Sequence, residues 1–69
     1  MSATVSIHIN GELRQVYARS LTELIQELTL SGRTIAIERN LEVVPKSQYA
    51  TTMLNEGDRI EVVHMIGGG

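Results

Sequence analysis

The chain has 69 residues, no cysteine, 42% hydrophobic residues and a formal net charge of -2. This length predicts a single domain with too little wall for a catalytic cleft, and the missing cysteines exclude disulfides and thiolate metal sites. The scattered basic residues argue against nucleic acid as a partner, because phosphate binding needs clustered Lys and Arg. No apolar run approaches the roughly 20 residues of a membrane span. The N-terminus lacks the features of a signal peptide, so we expect a cytoplasmic protein with no membrane partner.

The first predicted element is a β-hairpin. Apolar and polar residues alternate over 4–9, which places three apolar residues on one face of a strand: Val5, Ile7 and Ile9. Asn10-Gly11 follows and predicts a tight turn, because both residues tolerate positive φ. We expect the return strand over 12–18, with Leu13 and Val16 as its main apolar contributors. Their spacing does not alternate, which allows a bulge or an uneven register.

A helix is predicted next, over 21–30. Ser20 and Glu23 form a capping box, in which the Ser hydroxyl accepts from the backbone N–H of Glu23 and the Glu side chain reaches back. Four apolar residues then repeat with helical spacing: Leu21, Leu24, Ile25 and Leu28. Ser31-Gly32 is expected to end the helix, since Gly32 tolerates the left-handed cap conformation.

The remaining pattern predicts three further strands, at residues 34–39, 42–44 and 59–66. Asn40 and the segment Asn55-Glu56-Gly57-Asp58 mark turns, Pro45 stops the second of these strands, and residues 46–49 have the composition of a single helical turn. A hairpin, a helix and then strands predict an α+β fold of the β-grasp (ubiquitin-like) type. One main helix then packs on one face of a mixed sheet, and we expect residues 1–66 to form this domain.

The last three residues, Gly67-Gly68-Gly69, are the part of the sequence that we associate with chemistry. Glycine has no Cβ, so its backbone can lie in a narrow slot and approach another molecule closely. We interpret residues 67–69 as a flexible arm that presents a terminal carboxylate to a second protein. The alternative is a flexible end without a role. A carboxylate acylates only after one of its oxygens becomes a leaving group, which ATP achieves by forming an acyl-adenylate.

Three segments resemble the ThiS/MoaD family of ubiquitin-like sulfur carriers. They are Val44-Pro45-Lys46-Ser47-Gln48-Tyr49, Asn55-Glu56-Gly57-Asp58-Arg59-Ile60 and the closing glycines. The resemblance extends from Val5 to the last residue. One branch of that family contains the small subunits of molybdopterin synthase. In that branch the segment before the glycines is typically rich in Phe and Pro. Residues 62–66 contain neither, which favours the thiamine branch.

The resemblance implies that the chain is a protein cosubstrate and not an enzyme. An adenylating partner of the ubiquitin-activating type would use ATP and magnesium to activate the carboxylate of Gly69. Sulfur originating from cysteine would then replace the adenylate and leave a thiocarboxylate on Gly69. A thiazole synthase would use that sulfur to build the thiazole ring of thiamine. Gly67 and Gly68 would form the arm, and the chain itself would bind no cofactor.

Val63, Met65 and Ile66 are candidate partner-contact residues next to the arm. Val63 and Met65 alternate with the expected core-facing residues of the last strand, so their side chains should lie on the opposite face of the sheet. On an open sheet face they would form an apolar patch of the kind that marks partner surfaces. The alternative is a minor packing layer under the 46–54 loop.

We predict no catalytic residue and no metal site. His8 and His64, in a chain without cysteine, fall short of the three or four protein ligands that zinc usually takes. Tyr49 is expected to pack its ring on the sheet edge with its hydroxyl in water. Glu56 and Asp58 are interpreted as turn residues.

Three other functions are compatible with the sequence. One is sulfur transfer for molybdopterin or another pathway. Another is a ubiquitin-like modifier that is joined to other proteins through an isopeptide bond, which shares the chemistry up to the adenylate. The last is a β-grasp interaction module whose glycines are incidental.

Overall fold

The structure is a computed structural model and describes residues 3–65. Its elements in chain order are β1 (Val5–Ile9), β2 (Glu12–Val16), α1 (Leu21–Glu27), β3 (Ile35–Arg39), β4 (Glu42–Val44), a 3-10 turn (Lys46–Gln48) and β5 (Arg59–His64). The predictions for Ile66, Gly67, Gly68 and Gly69, including the boundary between domain and arm, lie outside the described residues.

The five strands form one mixed sheet with the spatial order β2-β1-β5-β3-β4. β1 and β5 run parallel, whereas the other three neighbouring pairs are antiparallel. The helix α1 packs on one face of this sheet, and we call the opposite face the open face. A hairpin, a covering helix and a central β5 make up the β-grasp architecture that the sequence predicts.

The core lies between α1 and the sheet and is almost entirely aliphatic. Its largest fully buried side chains are Ile7, Val16, Leu21, Leu24, Ile37 and Ile60. Tyr49 is also part of the core and is only 6% exposed, so it is buried more deeply than the sequence predicted. Its backbone carbonyl accepts a hydrogen bond from Thr22 N, which ties the 3-10 turn to the start of α1.

The prediction that Leu13 faces the core is wrong. Leu13 is 66% exposed, and its partner across the hairpin is His8. The ladder between β1 and β2 is continuous, without a bulge. In such a ladder Leu13 and Val16 lie on opposite faces, because side chains alternate with a period of two. Only Val16 reaches the core.

The helix begins as predicted but ends early, at Glu27 instead of residue 30. Ser20 Oγ accepts from the backbone N–H of Glu23 at 3.1 Å, as the capping box requires. After the helix, Thr29 takes a left-handed conformation with φ 57°, and Leu30 N donates to Ile25 O at 2.8 Å. This is a Schellman motif with threonine in the position that glycine usually takes. Within residues 3–65, no helix is long and apolar enough to cross a membrane.

Candidate functional site

The candidate site is β5, because this strand leads directly to the residues that the sequence analysis associates with chemistry. Ile60 and Val62 point into the core and are 0% and 8% exposed. β5 pairs with β1 on one side and with β3 on the other, so it occupies the middle of the sheet. Its pairing with β1 is short, with only His8↔Arg59 and Ile9↔Ile60 in register. Side chains provide further links to β5 at two places.

The first link is a cluster around Asp58, at the start of β5. One carboxylate oxygen, Oδ2, accepts from Asn55 N at 2.8 Å and from Arg39 Nε at 3.0 Å. The other, Oδ1, accepts from Asn40 Nδ2 at 3.2 Å. Asn40 Oδ1 in turn accepts from Arg59 N at 2.9 Å. The cluster therefore connects the turn before β5 to the β3–β4 hairpin.

The ionisation of Asp58 follows from this environment. Burial by itself raises the pKa of the carboxyl, but the hydrogen bonds from Asn55, Arg39 and Asn40, together with the charge of Arg39, outweigh it. The net result is a pKa below the ordinary value of 3.8. Asp58 is therefore ionised at neutral pH, and its side chain, which is 7% exposed, forms a partly buried ion pair with Arg39.

The same turn is also fastened to β1. Glu56 Oε1 accepts from Ser6 N at 2.9 Å, and Gly57 N donates to Ser6 O at 2.8 Å. Gly57 has a φ of 84°, a conformation that glycine adopts without steric cost. The sequence interpretation of Glu56 and Asp58 as turn residues agrees with these contacts, and both side chains also bind outside their own turn.

The second link is made by Asn10, in the β1–β2 turn. Its Oδ1 accepts from Val62 N at 2.8 Å, and its Nδ2 donates to Val62 O at 3.3 Å. The side-chain amide thus pairs with the main chain of Val62 as a neighbouring strand would. The Asn10-Gly11 pattern predicts the turn alone, and the φ of 50° at Asn10 agrees with that role. The hydrogen bonds to β5 are a second role that a short-range turn signal does not reveal.

Val63 and Met65 are exposed as the sequence analysis expected for an open face. They are 50% and 54% exposed, and Val63 is paired with Ala36 of β3. These values disfavour the alternative of a packing layer under the 46–54 loop. Val43, 68% exposed, lies on the same face, because it pairs with Glu38, the residue opposite Glu61 of β5. The alternation of side chains along the short strand β4 could have identified Val43 as a further exposed apolar residue on the open face. The role of Val63, Met65 and Ile66 as partner contacts stays a prediction.

The structure does not bring the two histidines together. His8 pairs with Leu13 on the open face, whereas His64 pairs with Ile35, whose side chain points to the core. Among the residues that the structure describes, no three His, Asp or Glu side chains are grouped so that they could hold a metal ion.

Comparison with known proteins gives consistent results. A model described as the ThiS family matches residues 7–69. A thiazole synthase of Paramagnetospirillum magneticum is 52% identical over 62 residues, which cover 88% of this chain but 19% of that protein. The chain therefore spans about a fifth of the length of that relative.

Shorter relatives match over most of their own length. The sulfur carrier protein ThiS of Bacillus subtilis is 34% identical over 50 residues, which cover 72% of this chain and 76% of that protein. The crystal structure of the thiamine biosynthesis protein ThiS from Geobacter metallireducens superposes with a TM-score of 0.82 at 26% identity. That superposition covers 94% of this chain and 100% of the other.

The Asp58 cluster predicts a specific dependence of stability on pH. Because the folded pKa is depressed, the stabilisation is present above the unfolded pKa of about 3.9 and is lost as the pH falls through the folded pKa. We expect Asp58→Asn to lower the free energy of unfolding at pH 7 by about 1–3 kcal/mol. The variant should also lose less stability between pH 5 and pH 2.5 than the parent chain.

Urea unfolding at a series of pH values measures both effects. Glu12→Gln is the matched control, because Glu12 is exposed on β2 and should change stability by less than about 0.5 kcal/mol. If Asp58→Asn and the parent chain lost equal stability on acidification, the ionised Asp58 would not stabilise the fold.

Proposed function

Because the chain belongs to the ThiS family, we propose that it is a sulfur carrier of thiamine biosynthesis, acted on by other enzymes. The observation that carries this proposal is the family match over residues 7–69, which includes the closing glycines. It is supported by the B. subtilis relative that is named sulfur carrier protein ThiS. The ThiS fold of the Geobacter protein supports the same assignment.

The proposed chemistry takes place on the carboxylate of Gly69. An adenylating enzyme transfers AMP from ATP, with magnesium, to one carboxylate oxygen and releases pyrophosphate. A persulfide formed from cysteine then attacks the acyl carbon and displaces AMP, which gives an acyl disulfide. Thiols cleave this disulfide, are themselves oxidised to a disulfide, and leave a thiocarboxylate on Gly69. Gly67 and Gly68 let the main chain pass through a narrow channel of the partner, because they carry no side chain.

The second proposed partner is a thiazole synthase, which accepts the sulfur. The P. magneticum relative bears that name and contains a stretch similar to this chain. The described domain supports such a role by fixing β5, the strand that precedes the glycines, through Asn10 and the Asp58 cluster. We propose cytoplasmic partners, because ATP and reduced sulfur donors are available there.

Intact mass after enzymatic loading tests the proposed function. The chain is incubated with a ThiS-activating enzyme, ATP, magnesium, cysteine, a cysteine desulfurase and a thiol reductant. The expected result is a mass gain equal to the exchange of one oxygen for one sulfur. Deleting Gly69 should abolish that gain and leave the urea midpoint unchanged.

Two results of this experiment would contradict the proposal. One is an unchanged mass with an enzyme that loads another ThiS protein in the same assay. The other is the formation of higher-mass protein conjugates in cell extract, which would indicate a ubiquitin-like modifier.

Restored growth without thiazole in a strain that lacks its own carrier tests the thiamine branch against the molybdopterin branch.

The exposed patch of Val63 and Met65 generates a separate prediction about partner binding. Met65→Asp should weaken binding to the adenylating enzyme or the thiazole synthase at least about tenfold, because it places a charge in an apolar contact. Its free energy of unfolding should change by less than about 0.5 kcal/mol, since Met65 is half exposed.

Met53→Asp is the matched control for this measurement. Met53 is 53% exposed, close to the 54% of Met65, but it pairs with Ser20 at the start of α1. Isothermal titration with each enzyme should show normal affinity for this control. Equal affinities for both variants, or a large loss of thermal stability in Met65→Asp, would exclude Met65 as a partner contact.

A further inference from the structure

The Asn10-Gly11 turn is the starting point of this inference. The main-chain nitrogen that follows Asn10 belongs to a glycine, so no side chain hinders its approach to the amide carbon of Asn10. Both residues are exposed, and a Cβ placed on Gly11 would have no atom within 4 Å. Water therefore reaches the turn. These are the conditions under which an asparagine side chain loses ammonia spontaneously.

A second hairpin asparagine provides an internal comparison. Asn40 has nearly the same backbone conformation as Asn10, with a φ of 52° against 50°, and it is also exposed. Its side chain also binds β5, because Asn40 Oδ1 accepts from Arg59 N. The residue that follows Asn40 is Leu41, whose side chain crowds its own main-chain nitrogen. The two turns therefore differ in the residue that has to attack the asparagine.

We propose that Asn10 is a site of spontaneous deamidation. The main-chain nitrogen of Gly11 attacks Cγ of Asn10, so that a new N–Cγ bond forms and the Cγ–Nδ2 bond breaks. The proton of Gly11 N–H leaves with Nδ2 as ammonia, and a cyclic succinimide remains. One water molecule then opens this ring. Opening at Cγ gives aspartate, whereas opening at the main-chain carbonyl gives isoaspartate, whose main chain is one carbon longer.

The link between Asn10 and β5 opposes this reaction. Asn10 Oδ1 accepts from Val62 N and Nδ2 donates to Val62 O, so the side-chain amide is held against β5. Asn10 N also donates to Ile60 O at 2.9 Å. Because Nδ2 must part from Val62 O before it can leave as ammonia, the reaction proceeds through molecules in which this link is open. It is therefore slower in the folded chain than in the unfolded chain.

Neither product restores the link to β5. In aspartate an oxygen replaces Nδ2, so the donor that lies 3.3 Å from Val62 O becomes an acceptor, and two acceptors do not pair. In isoaspartate the additional main-chain carbon lengthens the two-residue turn and changes its geometry. Deamidation thus makes a transient opening on the β1 side of β5 permanent. This modification lies outside the proposed function, because it alters the domain and not the carboxylate of Gly69.

Incubation of the parent chain in warm, mildly alkaline buffer, followed by peptide mapping with mass spectrometry, tests the site. Asn10 should gain the mass difference between an OH and an NH₂ group, as a mixture of aspartate and isoaspartate. Asn40 and Asn55 should not gain it over the same period. In urea that unfolds the chain, the rate at Asn10 should rise at least about tenfold, because the link to Val62 is absent.

Leu41→Gly is the matched variant for the chemistry. It places a glycine after Asn40, and glycine suits the φ of 73° at that position, so the fold should be retained. Its ¹H–¹⁵N spectrum establishes that it is. Asn40 should then gain the same mass as Asn10 under the same conditions, because its attacking nitrogen is no longer crowded.

Asn10→Asp tests the consequence, because it reproduces one product in every molecule. The carboxylate is repelled by Val62 O, so the Val62 amide should exchange at least about tenfold faster than in the parent chain. The urea midpoint should also fall. Gln15→Glu is the matched control, since it introduces the same change of charge at an exposed residue of β2 and should leave both readouts unaltered.

Four results would contradict these expectations. No mass gain at Asn10, or equal gains at Asn10 and Asn40 in the parent chain, overturns the proposed site. An unmodified Asn40 in Leu41→Gly overturns the role of the following glycine. An equal rate at Asn10 with and without urea overturns the protection by Val62. Parental exchange and midpoint in Asn10→Asp overturn the effect on β5. None of these readouts depends on sulfur loading, so the proposed function stands or fails separately.

Discussion

The structure depends on how β5 is held in the centre of the sheet. Its backbone pairing with β1 covers only two residues in register, so the parallel ladder alone fixes little of the strand. On the β1 side Asn10 extends the connection by binding the main chain of Val62. On the other side β5 pairs with β3 over five residues, and Asn40 adds a hydrogen bond to the main chain of Arg59. Both asparagines have positive φ, at 50° and 52°, so each forms a turn and also reaches across to β5.

This arrangement matters because the domain is small. A chain of 69 residues without Phe, Trp or cysteine has a modest aliphatic core and no covalent cross-link. Buried polar contacts contribute to stability only when they are fully paired. Asp58 meets this condition, since both of its oxygens accept hydrogen bonds and Arg39 balances its charge. Within the described residues no buried side-chain nitrogen or oxygen lacks a partner.

The proposed function agrees with this division of roles. If the chemistry takes place on Gly69, as proposed, the domain has to supply recognition and a fixed base for the glycines. β5 serves both requirements, because it is anchored at Val62 and Arg59, displays Val63 on the open face and is followed directly by the exposed Met65.

The fold was largely predictable from the sequence, since the period of two in β1 and the helical spacing after Ser20 are strong local signals. The errors arose where tertiary contacts outweigh local pattern. Leu13 is apolar but lies on the open face, because the regular hairpin register fixes its side. The helix ends at Glu27 and is followed by Thr29 with positive φ, although a glycine such as Gly32 is the more common signal for a helix end.

The site was predictable only in part. The alternation of the last strand placed Val63 and Met65 opposite the core-facing residues but left open whether that face is covered, and in the structure both are about half exposed. The contacts of Asn10 and Asp58 with distant residues could not be predicted, because they join positions 52 and 19 residues apart in the chain.

Amide hydrogen exchange along β5 tests the central claim most directly, that side chains from the hairpins hold this strand. In the parent chain the amides of Val62 and Val63 should exchange slowly, and that of His64 should exchange fast. In Asn10→Gly, which retains a residue suited to positive φ, only the Val62 amide should lose most of its protection while Val63 stays slow. Equal protection of Val62 in both proteins would contradict the account, because Asn10 would then contribute nothing to holding β5.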